Sequence, residues 1–260
     1  MRPLDAAELL AVWEQTCTRP PVERALALVA AASPETPADE LAALPIGRRD
    51  AALLRLRSWT FGPEITATME CPACGEMVEL TTSVPELLVP EAAGAPALGE
   101  GAAPIEVAVA GSSLTLRLPD SRDLAALPAA GSVDELRQAL LSRLVLDGRA
   151  KGRRLEVERL GPRGFDLGQL PPELVEAAMA RLAEADPQAD VELALACPGC
   201  GHGWLAGFDI TTFFWREIEA WALRTLREVH VLASAYGWAE REILALSAWR
   251  RSAYLQLVGA

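Results

Sequence analysis

Apolar positions recur along this chain with two different periods, and each change of period marks a predicted element. The first sixty residues follow the helical period. Leu9, Leu10, Val12 and Trp13 share one face of a predicted helix over Leu4–Gln15. Pro20-Pro21 suits the start of a second helix, Val22–Ala32, with Leu26 and Val29 at helical spacing. Ser33–Ala38 reads as a linker. After Leu44-Pro45-Ile46-Gly47-Arg48-Arg49-Asp50, a Leu-rich helix runs to about Trp59, and Gly62-Pro63 ends it. The period then drops to two. Ile65, Ala67 and Met69 alternate with Thr66, Thr68 and Glu70, and Val78 and Leu80 alternate with Met77, Glu79 and Thr81. The same alternation returns at Val191, Leu193 and Leu195 and again at Trp204, Ala206, Phe208 and Ile210. Alternation on both sides of a turn predicts two β-hairpins.

Between these hairpins, Pro85–Pro104 is rich in Ala, Gly and Pro without a period and reads as a linker. Ile105, Val107 and Val109, the turn Gly111-Ser112-Ser113, and Leu114, Leu116 and Leu118 predict a further hairpin. Pro119–Leu124 suits a turn or helix cap. Helices are expected over Val133–Leu146, with Leu136, Leu140 and Leu144 at four-residue spacing, and over Pro171–Ala185. Past the last hairpin, Thr211 or Thr212 is the expected cap of a long helix to about Ala235, broken at Gly237. Two shorter helices follow, over Ala239–Leu246 and from Ser247 through Leu257.

The tips of the two ribbon-like hairpins are near copies, Cys71-Pro72-Ala73-Cys74-Gly75 and Cys197-Pro198-Gly199-Cys200-Gly201. A pair of thiolates two residues apart on a tight turn grips half of a tetrahedral zinc, and two such turns complete a four-cysteine site. The metal ligands expected from the pattern are therefore Cys71, Cys74, Cys197 and Cys200, holding one structural Zn2+. The competing readings are disulfide or empty thiols, and a catalytic metal. Four sulfurs would leave a catalytic zinc no open position. His202 follows the second knuckle closely enough to substitute for a cysteine. Cys17 lies apart and reads as a small apolar residue.

Composition narrows the function more than the fold. Two histidines, His202 and His230, without HExxH, G-x-S-x-G, P-loop or dinucleotide motifs, give no acid–base or nucleophile constellation, so no enzyme is expected. A net charge of −12 argues against a nucleic-acid partner. Paired CxxC motifs and an odd cysteine suit a reducing compartment, so the cytoplasm is expected, and no apolar run is long enough for a bilayer span. Arg149, Lys151, Arg153, Arg154, Arg159 and Arg163 form a basic cluster that reads as a solvated loop or short hairpin, with an acidic partner or nucleic acid as the alternative. Arg48 and Arg49 read as solvated or salt-bridged charges, with partner contact as the alternative. Five of seven tryptophans, Trp204, Trp215, Trp221, Trp238 and Trp249, fall in the last third. Each reads singly as core, and their excess points to a partner surface.

The fold class expected is α+β: a split four-cysteine zinc ribbon of two hairpins, an inserted α/β segment and flanking helices. The divisions are 1–62 helical, 63–84 and 190–210 ribbon halves, 85–189 insertion, and 211–260 helical. Several stretches in this order carry a family resemblance. They are Leu44–Asp50 with its following helix, the first CPxCG, Leu116-Arg117-Leu118-Pro119 with Asp123-Leu124, and the second CPxCG leading into Phe208-Asp209-Ile210. The tail adds Glu228–Ala233, Tyr236-Gly237-Trp238, Glu242-Ile243-Leu244, Arg250-Arg251 and Tyr254-Leu255. Together they resemble the T-even phage type of baseplate hub assembly chaperone or baseplate protein of contractile tails and contractile injection systems. The resemblance implies a non-enzymatic assembly or structural role, with baseplate, hub or spike proteins as partners. The alternative is a zinc-ribbon nucleic-acid or transcription-type module.

Overall fold

The computed structural model describes residues 1–90, 103–150, 153–154 and 170–259. Four helices come first: α1 (Ala6–Thr16), α2 (Pro21–Ala32), α3 (Ala38–Ala42) and α4 (Ile46–Phe61). Local chemistry sets their ends. Asp5 and Glu8 form a reciprocal capping box at α1, Pro21 occupies the first turn of α2, and Gly62 terminates α4. The short α3 begins at Ala38, the last residue of the expected Ser33–Ala38 linker. Strands β1 (Glu64–Glu70) and β2 (Met77–Ser83) pair antiparallel and lead into α5 (Val84–Leu87). The remainder of the expected linker, residues 91–102, lies outside the described residues.

The inserted segment has its own sheet, β3 (Ile105–Val109), β4 (Ser112–Leu116), β5 (Val145–Ala150) and β6 (Arg153–Arg154), antiparallel throughout and in that order. Helix α6 (Ser121–Ala125) starts at the Asp120 cap, and α7 (Val133–Leu144) starts at the Ser132–Glu135 capping box. The helix expected to Leu146 stops at Leu144, because Val145 enters β5 and pairs with Leu116. A sheet edge offered by β4 outcompetes one more helical turn, which no local pattern signals. Of the expected solvated loop or short hairpin, the described part is hairpin, with β5 paired antiparallel to β6. Of its charges, Lys151, Arg159 and Arg163 lie outside the described residues. Helix α8 (Pro172–Ala185) and a 3-10 turn at Pro187–Ala189 close the insertion.

Strands β7 (Glu192–Ala196) and β8 (Gly203–Gly207) form the last hairpin, followed by α9 (Ile210–Tyr236), α10 (Glu240–Leu244) and α11 (Ala248–Val258). The cap of α9 is Asp209, not Thr211 or Thr212: its carboxylate accepts from the Thr211 N–H and the Thr212 hydroxyl. Gly237, at φ 68°, ends the helix in the left-handed region that favours glycine. The three sheets are separate, and the two cysteine hairpins do not share one.

Among the described residues, burial resolves three large apolar clusters and a small one at the cysteine tips. The largest joins Leu9, Leu28, Leu41, Leu53, Leu54 and Leu56 of the N-terminal helices to Ile65 of β1 and to Ile210, Phe214 and Ile218 of α9. The first and last regions of the sequence therefore fold into one core. A second cluster lies within the insertion, from Val107, Leu114 and Leu116 to Leu141, Leu174 and Leu182. A third packs Leu10 against Ala222, Val229, Leu232 and Ile243.

The N-terminus of α4 clasps the insertion to the helical core. Ile46 N–H donates to Pro119 O at 3.1 Å, Gly47 N–H to Asp186 Oδ2 at 2.9 Å, and Arg49 to Ser121 Oγ at 3.3 Å. Arg49 is buried and ion-paired with Asp50 at 2.7 Å, so it is an internal strut and not a solvated or partner-facing charge. Arg57, also buried, ties α4 to Glu217 of α9 and to the carbonyls of Gly62 and Glu64. Arg117 and Arg143 converge on the fully buried Asp123.

Candidate metal centre

Each cysteine pair sits on a tight loop at a hairpin tip, and the two loops are built alike. Cys71 N–H donates to Glu76 O at 2.8 Å and Gly75 N–H to Cys71 O at 2.9 Å. In the second loop Cys197 N–H donates to His202 O and Gly201 N–H to Cys197 O, both at 2.9 Å. Gly75 and Gly201 adopt φ of 77° and 74°, which a side chain would strain. Within each loop the first sulfur accepts backbone N–H groups: Cys71 from Ala73 and Cys74, and Cys197 from Gly199 and Cys200. These donors stabilise thiolate over thiol.

The hairpins bring the tips together across more than 120 residues. Cys71 Sγ lies 3.7 Å from Cys200 Sγ, and Cys74 Sγ lies 3.6 Å from Cys197 Sγ. All four sulfurs lie within 4.8 Å of one another. A disulfide would need about 2.05 Å, so these cysteines are free thiols. A regular tetrahedron with metal–sulfur bonds of about 2.3 Å has edges of about 3.8 Å. The two cross-loop distances match that edge. Cys71 and Cys197 are buried and Cys74 and Cys200 exposed, so the cluster opens on one side. Val78 and Trp204 back it with apolar surface.

The protonation pattern fits a group of sulfurs that cannot all ionise unaided. At Cys71 burial opposes ionisation, but the Ala73 and Cys74 amides and neighbouring thiols outweigh it and pull the thiol down to about 7. At Cys74 the Glu76 amide favours thiolate, but the neighbouring sulfurs of Cys200 and Cys197 outweigh it and push the thiol up to about 12. A divalent cation among them would remove that conflict.

His202 is not in the sulfur group; its ring stacks on Trp204, with centroids 6.2 Å apart and planes 9° apart. Cys17 is half-buried and far from the group in packing, against the main core. One polar neighbour had no sequence signal: Glu76 Oε2 lies 3.5 Å from Cys197 Sγ and lies across Gly199. A Cβ on Gly199 would fall 1.8 Å from that oxygen, so an alanine there would need the flexible Glu76 side chain to swing aside.

Beyond the cluster, the expected aromatic surface is smaller than the tryptophan count implies. Trp215 is buried, Trp204, Trp221 and Trp238 are half-buried, and Trp249 is 79% exposed. Among the described residues no helix is long and apolar enough to cross a membrane.

A family model described as T4 bacteriophage base plate protein matches residues 9–148, more than half of the chain. The chain belongs to this T4 base plate protein family. The match takes in α4, the first cysteine knuckle and the Arg117–Asp123 pair, whereas Asp186 of the clasp and the second knuckle lie beyond it. No curated protein and no solved structure matches the chain significantly. Membership supports a structural or assembly role in a phage baseplate and contact with other baseplate components.

Proposed function

We propose that this base plate family protein is a non-enzymatic assembly factor or structural component of the baseplate or hub of a phage-like contractile tail, held together by one structural Zn2+. The family match over residues 9–148 carries the functional half of the reading. The four-sulfur cluster carries the metal half. Cys71, Cys74, Cys197 and Cys200 would hold the ion as thiolates, making the two hairpins halves of one split zinc ribbon with the insertion between them. Zinc would supply no reactivity there, because four sulfurs fill its coordination sphere. Its role would be to tie segments distant in sequence into one folding unit. On this reading the regions are 1–62 and 211–260 as helical flanks, 63–84 and 190–210 as ribbon halves, and 85–189 as insertion. Folding would take place in the cytoplasm, with baseplate, hub or spike proteins as partners.

Mass spectrometry of purified contractile particles, beside a tagged pull-down from producing cells, tests this reading. A baseplate component is expected at fixed stoichiometry in intact particles. An assembly factor is expected with hub or spike proteins in the lysate and absent from particles. Appearance in neither sinks the proposal. Elemental analysis of the purified protein should return one zinc per chain, and none in Cys71→Ser/Cys197→Ser.

A further inference from the structure

The two cysteine loops are built alike, but the residue that follows each loop glycine differs in charge. Glu76 and His202 occupy the same place, and the carbonyl of each accepts the N–H of its loop's first cysteine. Their side chains take different directions. His202 stacks on Trp204. Glu76 crosses to the opposite loop, where Oε2 lies 3.5 Å from Cys197 Sγ and over Gly199. Only a hydrogen at position 199 leaves the carboxylate there, since a Cβ would fall 1.8 Å from its oxygen. Among the described residues that sulfur is the one partner of the Glu76 carboxylate, which forms no ion pair with an arginine.

The contact suits a thiol and not a metal-bound sulfur. A Cys197 thiol donates to the carboxylate, which only accepts. Bound to a metal, Cys197 has no proton to give, and two negative groups face each other. Four thiolates around one divalent ion carry a surplus of negative charge, so the loaded cluster as a whole repels Glu76. The amides of Gly199 and Cys200 act in the opposite sense, because they donate to the same sulfur. The charge therefore stands against one ligand of a cluster whose Cys74 and Cys200 are exposed to solvent.

We propose that Glu76 keeps the bound ion exchangeable: its carboxylate, held over Gly199 against Cys197, weakens the grip of the four sulfurs on zinc and speeds its release. Glu76 is not a ligand in this role. It acts through Cys197. The inference rests on the structural-zinc reading.

The full-length protein loaded with zinc is mixed with an excess of chromophoric chelator, and release is followed by absorbance at low and high salt. Glu76→Gln is expected to release zinc about threefold more slowly than wild type at low salt, the size expected of one exposed charge interaction. At ~1 M NaCl the difference should vanish, because the Debye length falls to about 3 Å. Gly199→Ala, which pushes the carboxylate aside, should slow release in the same direction and by less. Glu240→Gln, on α10, changes net charge equally and should release zinc as wild type does. Faster release from Glu76→Gln, or a difference that survives high salt, would overturn the proposal. If wild type and Glu76→Gln each carry one zinc and release it at the same rate, the exchange role fails and the zinc reading stands. A wild type without zinc in elemental analysis sinks both.

Discussion

Two glycines show how differently crowding acts at single positions. A Cβ on Gly47 would lie 2.0 Å from Asp186 Oδ1 and 2.9 Å from the Ala189 backbone nitrogen, inside the buried clasp. Helix propensity favours alanine there by about 0.5–1 kcal/mol, but overpacking costs about 1–3 kcal/mol, so the steric effect wins. Gly199 would meet Glu76 at an even shorter distance, yet that carboxylate ends an exposed, flexible side chain. Gly47→Ala should lower the denaturant midpoint clearly, while Gly199→Ala should stay within about 0.5 kcal/mol of wild type. Asp50 offers a second test at this scale. Burial raises its carboxyl to about 6, outweighing the attraction of Arg49, with Asp209 and Asp186 adding to the rise. The native state then holds this proton more tightly than the unfolded chain, so unfolding releases it between about pH 4 and 6. The Asp50 contribution to stability is therefore full below pH 4 and lost as pH rises through 6. Relative to wild type, Asp50→Asn should gain stability across that window, by an upper bound of about 3 kcal/mol, read from urea melts at stepped pH.

Helix ends were legible in the sequence where a side chain caps its own turn, and less so where several candidates stood together. Ser247 caps the last helix as expected, whereas Asp5 caps a first helix expected to begin one residue earlier, at Leu4, and Ser132 caps α7. At α9 the sequence presents Asp209, Thr211 and Thr212 within four residues, and the threonines are not the cap. Thr211 instead gives its N–H to Asp209, and Thr212 its hydroxyl. Asp209→Ala should cost about 1 kcal/mol and Thr211→Ala much less, measured by thermal unfolding. The hairpins were legible from alternation because one face of each strand is less exposed than the other, buried at Ile65 and Val78 and half-buried along β7 and β8. β5 was not, because Val145-Leu146 continues the apolar spacing of α7 and its pairing with Leu116 comes from a strand thirty residues earlier.

At the scale of the whole molecule, the cysteine cluster joins two hairpins that share no sheet, and the α4 clasp joins the insertion to the helical core. These are independent ties, so removing one should leave the other. Chelation is expected to raise amide exchange across Glu64–Ser83 and Glu192–Gly207 while the β3–β5 sheet and α8 keep their protection, since their core is separate. Uniform loss of protection would show instead that the cluster governs the entire fold.

The cysteine knuckles, the two hairpins that carry them and most helices are legible without any tertiary information. Those features depend on residue type and period within a few neighbours. The chain also carries the ordered motifs that resemble a baseplate family, which the match over residues 9–148 supports. Packing in three dimensions adds that the first and last helices share one core, that Arg49 and Arg57 are buried struts, and that Glu76 lies against Cys197. It also decided which tryptophans reach solvent. These outcomes depend on contacts between segments distant in sequence, such as Arg49 with Ser121, Arg57 with Glu217 and Glu76 with Cys197, where burial and pairing are set by which surfaces meet.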